Sequence, residues 1–229
     1  MKKKNYIYIV FFLILFLVLI FGYFSIYRQS QEEKLIYNVE KIAQQDFLEE
    51  VSFSSNSQGN YLLLEEAIEK YLDDFYQQYQ KVMSYALRDE TMSLLSVSNY
   101  SKDGKEFTQS ISYVKEEKKL FNQDMKKLLS FCEKTKVYQY SEELELSTYY
   151  QDLFQDMIFE HGIYDQLLKL KTSFLESQES MNQVYDVSLD VFSFLKKHSD
   201  DWKVENNEIQ FSTNLLVEEY QSLVSSIQD

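Results

Sequence analysis

The N-terminal part of the chain contains a long stretch without any charged residue. Lys2, Lys3 and Lys4 precede it, Asn5–Tyr27 carry no charge, and Arg28 follows. At about 1.5 Å per residue, a helix over this stretch is roughly 35 Å long, enough to cross a hydrocarbon core of about 30 Å. Aromatic residues lie near both ends, as in the interfacial belts of spanning helices. The pattern predicts a transmembrane signal anchor at residues 5–27.

The charges on either side of this stretch predict its orientation. Positive residues favour the cytoplasmic side, and the three N-terminal lysines outweigh Arg28, which acidic residues follow. We expect a cytoplasmic stub at residues 1–4 and an extracytoplasmic helical-bundle domain at residues 28–229. A cleaved signal peptide is the alternative. However, the apolar stretch exceeds the usual h-region of about 7–15 residues, and no A-x-A-like site follows it.

Beyond the anchor, apolar residues recur at helical spacing along most of the chain. Nothing between Arg28 and Leu35 breaks a helix, so the first outer helix is expected to continue the anchor. The stripes keep no strict heptad, which favours a packed bundle over a two-stranded coiled coil. The predicted helices cover residues 31–52, 61–95, 106–136, 141–160, 163–198 and 213–227.

One segment near the C-terminus has the pattern of a β-hairpin. Within residues 202–211, apolar and polar positions alternate on both sides of Asn206-Asn207. Such a hairpin is marginal alone, so we expect it to lie on the helices. A two-residue turn at the asparagines would pair Trp202 with Phe211 and Val204 with Ile209 on one face.

Residues that break a helix are scarce in this chain, which has no proline and only four glycines. Phosphate-binding loops and nucleophile elbows both need glycine, so the composition favours long helices over such motifs. One break falls within residues 96–110, where Asp103-Gly104 is a turn signal and leaves open a short hairpin. The predicted fold is all-α, with one N-terminal transmembrane helix, an extracytoplasmic bundle of long helices and a small β-hairpin (202–211) before the last helix.

The formal net charge of the chain is −14 at pH 7. An acidic surface repels nucleic acid, so we expect no nucleic-acid partner. The single cysteine, Cys132, leaves no intrachain disulfide. It lies on an apolar stripe with Leu128 and Phe131, which predicts a small buried side chain and not a reactive thiol.

The usual signatures of catalytic and metal sites are missing from the sequence. The two histidines, His161 and His198, are far apart, and neither belongs to HExxH or follows a glutamate by three positions. Adjacent carboxylates such as Glu142-Glu143 do not face each other on a helix. A Ser-His-Asp or Cys-His arrangement stays open, although no elbow motif supports it. We predict no catalytic residue, no cofactor and no metal, and a protein that is not an enzyme.

Aromatic residues are abundant, with 19 tyrosines and 17 phenylalanines. Tyrosine joins an apolar ring to a polar hydroxyl and is therefore common at interfaces. The alternative is that these rings fill the core of the bundle and its rim. The densest groups form a candidate interaction surface of Tyr71, Phe75, Tyr76, Tyr79, Tyr149 and Tyr150.

These observations lead to a functional hypothesis with two alternatives. The favoured function is a single-pass, non-catalytic interaction or accessory subunit of a cell-envelope or membrane complex. It binds the membrane through residues 5–27 and a protein partner in the envelope, with a homo-oligomer left open. The alternatives are a module that binds a glycan, lipid or peptide between helices, and a cell-envelope hydrolase. A large apolar cavity would favour ligand binding, whereas a filled core with an exposed apolar patch would favour a protein partner.

Overall fold

The structure, a computed structural model, describes residues 2–55 and 57–226, with side chains described from residue 14 onward. This part of the chain is mostly helical, and a two-stranded antiparallel hairpin precedes its last helix. The predicted helical fold with a small hairpin is therefore confirmed. The elements are α1 (Lys2–Ile42), α2 (Asn60–Ala86), α3 (Asp89–Met92), α4 (Val97–Asp103), α5 (Thr108–Ser130), α6 (Lys134–Glu143), α7 (Thr148–Glu160), α8 (Ile163–Lys197), β1 (Trp202–Glu205), β2 (Glu208–Phe211) and α9 (Asn214–Ser225).

α1 is a single uninterrupted helix from Lys2 to Ile42, so the predicted continuation of the N-terminal helix beyond Arg28 is confirmed. Residues 5–13 of the predicted anchor lie outside the residues whose side chains are described. Among the described residues, no helix has both the length and the apolar character needed to cross a membrane. The transmembrane anchor stays a prediction.

The helix predicted over residues 31–52 ends earlier than expected, at Ile42. The backbone N–H of Leu48 donates to the Asp46 carboxylate at 2.9 Å. This local side-chain bond competes with helical hydrogen bonding and favours a turn. Phe47 is nevertheless buried within that turn, so the apolar position was recognised although its backbone was assigned wrongly.

The chain forms two compact units. Unit 1 consists of Met1–Asp73 and Val137–Gln166, and unit 2 consists of Asp74–Lys136 and Leu167–Asp229. The long helices α2 and α8 contribute residues to both units.

Unit 1 is built on the inner face of α1. Leu35 and Val39, one helical turn apart, are fully buried with Leu64 and Ile68 of α2, which show the same spacing. Gly162 separates α7 from α8 with a φ of 93°. A Cβ added there would lie 3.2 Å from the Ala43 Cβ, so a glycine is needed both for the turn and for the close approach.

Unit 2 has a core rich in stacked aromatic rings. Phe107 lies between Phe192 and Trp202, with ring centroids 5.1 and 6.0 Å away. The Trp202 indole N–H donates to the Leu195 carbonyl at 2.7 Å, which satisfies the polar edge of a buried ring. These contacts attach the hairpin to α8 and to the loop before α5.

The hairpin itself matches its prediction. Asn206 and Asn207 have φ values of 53° and 62°, the backbone conformation of a type I′ turn. The turn type fixes the register of the two strands. The observed cross-strand pairs are Trp202 with Phe211, Lys203 with Gln210, Val204 with Ile209 and Glu205 with Glu208.

The second predicted turn is not a hairpin. Residues 97–103 form α4, whose first turn is capped by the Ser96 hydroxyl, which accepts from the Asn99 N–H at 3.2 Å. Gly104, with a φ of 74°, ends this helix. The Asp103 carboxylate then accepts the N–H groups of Gln109 and Ser110 at the start of α5. Capping of two successive helices therefore replaces the strand pairing that the Asp-Gly signal suggested.

Three predicted helices are interrupted in the structure. The helix predicted over 61–95 ends at Ala86 and is followed by the short α3, and the helix predicted over 106–136 ends at Ser130. The helix predicted over 141–160 is broken between the end of α6 at Glu143 and the start of α7 at Thr148. The pattern missed α6, because no glycine or proline marks the break at residues 131–133. Cys132 lies in this break and is buried as predicted.

Candidate functional site

Two members of the predicted interaction surface lie in the interior. Tyr71, in unit 1, is fully buried and packs edge-to-face against Tyr140 at 5.1 Å between ring centroids. Phe75, in unit 2, is also fully buried and contacts Phe131 and Phe174. The structure therefore places these two rings in the core, which was the alternative interpretation.

The other four members remain partly accessible. Tyr76 and Tyr79 belong to unit 2 and are half-buried, and the Tyr79 ring lies 6.0 Å from that of Phe174. Tyr149 and Tyr150 are half-buried in unit 1 and contact each other at 4.9 Å between centroids. The structure thus brings the tyrosine pair of α7 together as a local group.

This tyrosine pair is part of a polar and aromatic group that we call the Arg28 cluster: Arg28, Glu32, Tyr61, Tyr149 and Tyr150. Arg28 Nε donates to Glu32 Oε1 at 2.8 Å, and the guanidinium carbon lies 3.9 Å from the centroid of the Tyr149 ring. The Tyr149 hydroxyl donates to the same Glu32 oxygen. Tyr61 and Tyr149 share a hydroxyl–hydroxyl hydrogen bond of 3.3 Å, and the Tyr61 ring packs edge-to-face on Tyr150. The cluster fastens α7 and the start of α2 to α1.

The electrostatics of the cluster follow from these contacts. Burial raises the pKa of Tyr149, and its hydrogen bond to Glu32 adds to the effect. Burial also acts to raise the pKa of Glu32, but hydrogen bonds from Tyr149 and Arg28 outweigh it and lower that pKa. The hydrogen bond with Glu32 raises the pKa of Arg28. These shifts favour a charged Arg28–Glu32 pair next to a neutral Tyr149.

The Arg28 cluster lies at a boundary in the exposure of α1. Before it, large apolar side chains of the described residues are exposed on all sides, with Phe21 at 72% and Ile26 at 71%. Beyond Arg28, exposure follows a helical period, and Gln31, Leu35 and Val39 are buried within unit 1. The cluster therefore lies where the other elements of unit 1 begin to cover α1.

A second accessible feature lies in unit 2, where α2 ends and α3 begins. We call Met83, Leu87 and Met92 the α2–α3 patch. Leu87 is 68% exposed and Met92 is 65% exposed. The neighbouring Asp89 and Glu90 are exposed acids. Exposed, flexible methionines are enriched at surfaces that bind other proteins.

A buried aspartate and two exposed lysines form a charge network that joins α2 and α5 within unit 2. Asp124 accepts hydrogen bonds from Lys81 at 3.1 Å, Lys127 at 3.0 Å and the Tyr85 hydroxyl at 2.8 Å. Burial acts to raise the pKa of Asp124, but bonds from Lys127, Lys81 and Tyr85 outweigh it and lower the pKa to about 2. Burial and, as the second cause, the hydrogen bond to Asp124 raise the pKa of Tyr85 to about 12.

A cavity of about 320 Å³ lies within unit 2 next to α3, α4 and α5. Its lining includes the polar side chains of Ser93, Asn99, Lys102, Ser110 and Tyr113. Hydroxyl and amide groups of this kind suit a small hydrophilic molecule.

Each of the two histidines lies near one carboxylate side chain. His161 lies 3.4 Å from Glu40, and His198 lies 3.7 Å from Asp201. Burial raises the pKa of the Cys132 thiol to about 11, as expected of a structural cysteine. Among the described residues, no group of three or more histidine, cysteine, aspartate and glutamate side chains is arranged to hold a metal ion.

Sequence reasoning missed Arg28, Glu32 and Tyr61 as members of a site. The i, i+4 spacing of Arg28 and Glu32 does signal a local ion pair. No signal connects that pair to Tyr149, which is more than a hundred positions further along the chain. Comparisons of the chain with protein-family models, with curated proteins and with solved structures find no match.

Proposed function

We propose that this protein is a membrane-anchored, non-catalytic accessory subunit whose outer part binds another protein of the cell envelope. The observation that carries the proposal is the change in exposure along α1. Apolar side chains such as Phe21 and Ile26 are exposed all round the helix before Arg28, and burial within unit 1 begins only at Gln31. A helix that is apolar on every side needs a cover, and a bilayer provides one.

The orientation proposed is the one that the flanking charges favour, with residues 1–4 in the cytoplasm and residues 28–229 outside. The continuity of α1 supports a firm connection between anchor and outer part, because the same helix supplies Leu35 and Val39 to the core of unit 1. Such a protein holds its outer part at a defined distance from the membrane, which suits a subunit of a membrane complex.

The α2–α3 patch supports a protein partner over a small ligand. Leu87 and Met92 are largely exposed, whereas large aromatic side chains such as Tyr71 and Phe75 are buried against other rings. A filled core with exposed apolar side chains is the arrangement expected of a partner-binding protein. Because Asp89 and Glu90 flank the patch, a partner with an apolar contact edged by lysine or arginine fits best.

A ligand-binding module is the second candidate. The polar cavity of about 320 Å³ in unit 2, with Asn99 and Tyr113 in its wall, favours it. This volume is at the lower end of typical small-molecule sites, which are also mostly apolar. The cavity therefore suits a small polar compound better than a lipid or an extended peptide.

The test uses the full-length protein in its native membrane, with a photo-activated cross-linking residue at Leu87 or at Met92. The matched control is Leu215, an equally exposed leucine in α9 of the same unit. We expect both patch positions, but not Leu215, to form one discrete heterologous product that mass spectrometry identifies. Self-links alone would instead indicate a homo-oligomer. Equal labelling from Leu215, or no product at all, would overturn the partner proposal.

The anchor is tested separately by extraction of the membranes at alkaline pH. A spanning helix stays in the membrane pellet, whereas a peripheral protein is released. Release of the full-length protein would overturn the membrane part of the proposal, whatever the cross-linking shows.

A further inference from the structure

A shallow groove with a volume of about 420 Å³ runs along α1 where its apolar stretch ends. One end is apolar and the other is polar. The groove is lined by Phe21, Phe24, Ser25, Arg28, Gln29 and Glu32. Phe21 in the apolar part and Arg28 in the polar part are two helical turns, or about 10 Å, apart along the axis. The groove therefore has the length and the polarity gradient of the headgroup and first acyl carbons of a membrane lipid.

Arg28 supplies the means of binding a phosphate at the polar end. A guanidinium has five N–H donors, and in the described part of the chain only Glu32 and Tyr149 engage them. The remaining donors are accessible, because the Arg28 side chain is 57% exposed. The hydrogen bond to Glu32 and the cation–π contact with the Tyr149 ring position the guanidinium, so little freedom is lost when its remaining N–H groups meet a phosphate.

The charges around Arg28 also select the kind of headgroup. Glu32 lies at the polar end of the groove, next to the position that a phosphate on Arg28 would occupy. A second negative charge on the lipid would be repelled there, whereas an amine next to the phosphate would be attracted. Charge complementarity therefore favours a zwitterionic headgroup that carries an ammonium.

We propose that the groove between Phe21 and Glu32 binds an amine-bearing zwitterionic phospholipid, with its phosphate on Arg28 and its ammonium beside Glu32. This inference rests on the proposed membrane anchor, and it names the lipid that the end of that anchor selects. The headgroup layer on each side of a bilayer is about 5–7 Å thick, and Arg28 directly follows the apolar stretch, so its side chain lies at that depth. Through Tyr149, the bound lipid also fixes α7 at the membrane surface.

The experiment measures which lipids stay bound to the full-length protein. The protein is reconstituted with an equimolar mixture of phosphatidylethanolamine, phosphatidylglycerol and a phosphate-free diacyl glycolipid. It is then transferred to detergent, and native mass spectrometry counts the retained lipids. We expect phosphatidylethanolamine to be retained preferentially and Arg28→Gln to reduce its retention by about tenfold, because a charge-assisted phosphate contact is lost.

The matched control is Lys34→Gln, which removes an exposed cation from the same helix, six residues further on. It should change retention less than about twofold, because Lys34 lies above the headgroup layer. A second pair of variants tests the cation–π contact: Tyr149→Phe keeps the ring and should retain the lipid, whereas Tyr149→Leu should lose it. Equal retention by Arg28→Gln and Lys34→Gln, or equal retention of the glycolipid or of phosphatidylglycerol, would overturn the inference. Failure of the anchor itself is detected independently, because the protein would then leave the membrane at alkaline pH.

Discussion

The two units each bury a carboxylate, and they stabilise it in different ways. In unit 1, Glu65 is 1% exposed and accepts hydrogen bonds from Asn38, Ser55 and Ser57, all of which are neutral. In unit 2, Asp124 is 4% exposed and accepts from two lysines and a tyrosine. Burying a carboxyl group is costly in both places, and either set of donors reduces that cost.

Charged and neutral donors respond differently to the salt concentration of the solution. Lys81 and Lys127 are more than half exposed, so their attraction to Asp124 is weakened by salt. The donors around Glu65 carry no charge, so their effect depends on geometry and is insensitive to ionic strength. The network of unit 1 also holds Ser55 and Ser57, which precede α2, against α1 through Asn38. The contribution of the Glu65 network to stability therefore depends on hydrogen-bond geometry, whereas that of the Asp124 network also depends on ionic strength.

The largest effect is expected from Glu65→Ala. Removal of the carboxylate leaves three donors without their acceptor, two of them on the buried side chains Asn38 and Ser57. We expect the free energy of unfolding of the full-length protein in detergent to fall by about 3–4 kcal/mol. Glu65→Gln keeps the volume and one acceptor oxygen, and should cost about 1–2 kcal/mol. Denaturant unfolding, monitored by hydrogen exchange of the amides in α1 and α2, measures the change in the free energy of unfolding for both variants.

The matched control for this prediction is Glu66→Ala. Glu66 is the next residue on α2 but is exposed, so its removal should change the free energy of unfolding by less than about 0.5 kcal/mol. Equal losses for Glu65→Ala and Glu66→Ala would show that the buried network contributes nothing to unit 1.

A smaller and condition-dependent effect is expected from Asp124→Asn. Because the folded pKa is about 2, below the ordinary value of 3.8, the charged form stabilises the fold above pH 4. This stabilisation is lost as the pH falls from about 4 through 2. We expect Asp124→Asn to lower the free energy of unfolding by about 1–2 kcal/mol at pH 6, after allowance for screening of the exposed lysines.

Titration and salt sharpen that result. The difference in the free energy of unfolding between wild type and Asp124→Asn should become small as the pH falls through about 2. It should also narrow in about 1 M salt, where the Debye length is about 3 Å. The difference in the free energy of unfolding between wild type and Glu65→Ala should not depend on the salt concentration. Glu116→Gln serves as the control, because Glu116 is exposed on the same helix and pairs with Lys119 at 3.7 Å. A gap for Asp124→Asn that is independent of both pH and salt would contradict the charged-donor account.

The smallest effect concerns two buried tyrosines of unit 2. The Tyr85 hydroxyl donates to Asp124, whereas the Tyr185 hydroxyl is buried without a hydrogen-bond partner among the described residues. We expect Tyr85→Phe to cost about 1 kcal/mol and Tyr185→Phe to be neutral or stabilising by up to about 1 kcal/mol. Parallel thermal unfolding of the two variants measures the difference. A clear loss for Tyr185→Phe would indicate an ordered partner for its hydroxyl.

Parts of this architecture were predictable because their signals are local. The asparagine pair in residues 202–211 specifies a type I′ turn, and the turn sets the register of the hairpin. The absence of any breaker between Arg28 and Leu35 predicted the continuity of α1. The apolar stripe around Cys132 predicted its burial. In each case, residues within one or two turns of each other determine the outcome.

Other parts were assigned wrongly because the apolar pattern does not mark where these helices end. α2 ends at Ala86 although the apolar pattern continues, and Arg88, just beyond it, pairs with the buried Glu117 of α5. α5 ends at Ser130 without glycine or proline, and residues 131–133 turn the chain into α6. The turn signal at Asp103-Gly104 was genuine, but capping of α4 and α5 used it in place of a hairpin.

The sequence by itself determined the helical period, the hairpin and the apolar character of the N-terminal stretch, because these depend on neighbouring residues. Only the tertiary structure decided which aromatic rings are interior, placing Tyr71 and Phe75 in the core and Tyr149 beside Arg28. It also decided which donors surround each buried carboxylate. The physical reason is that an apolar stripe specifies the face a helix buries but not the helix it meets, whereas hydrogen bonds and stacked rings form only between groups that the packing brings together.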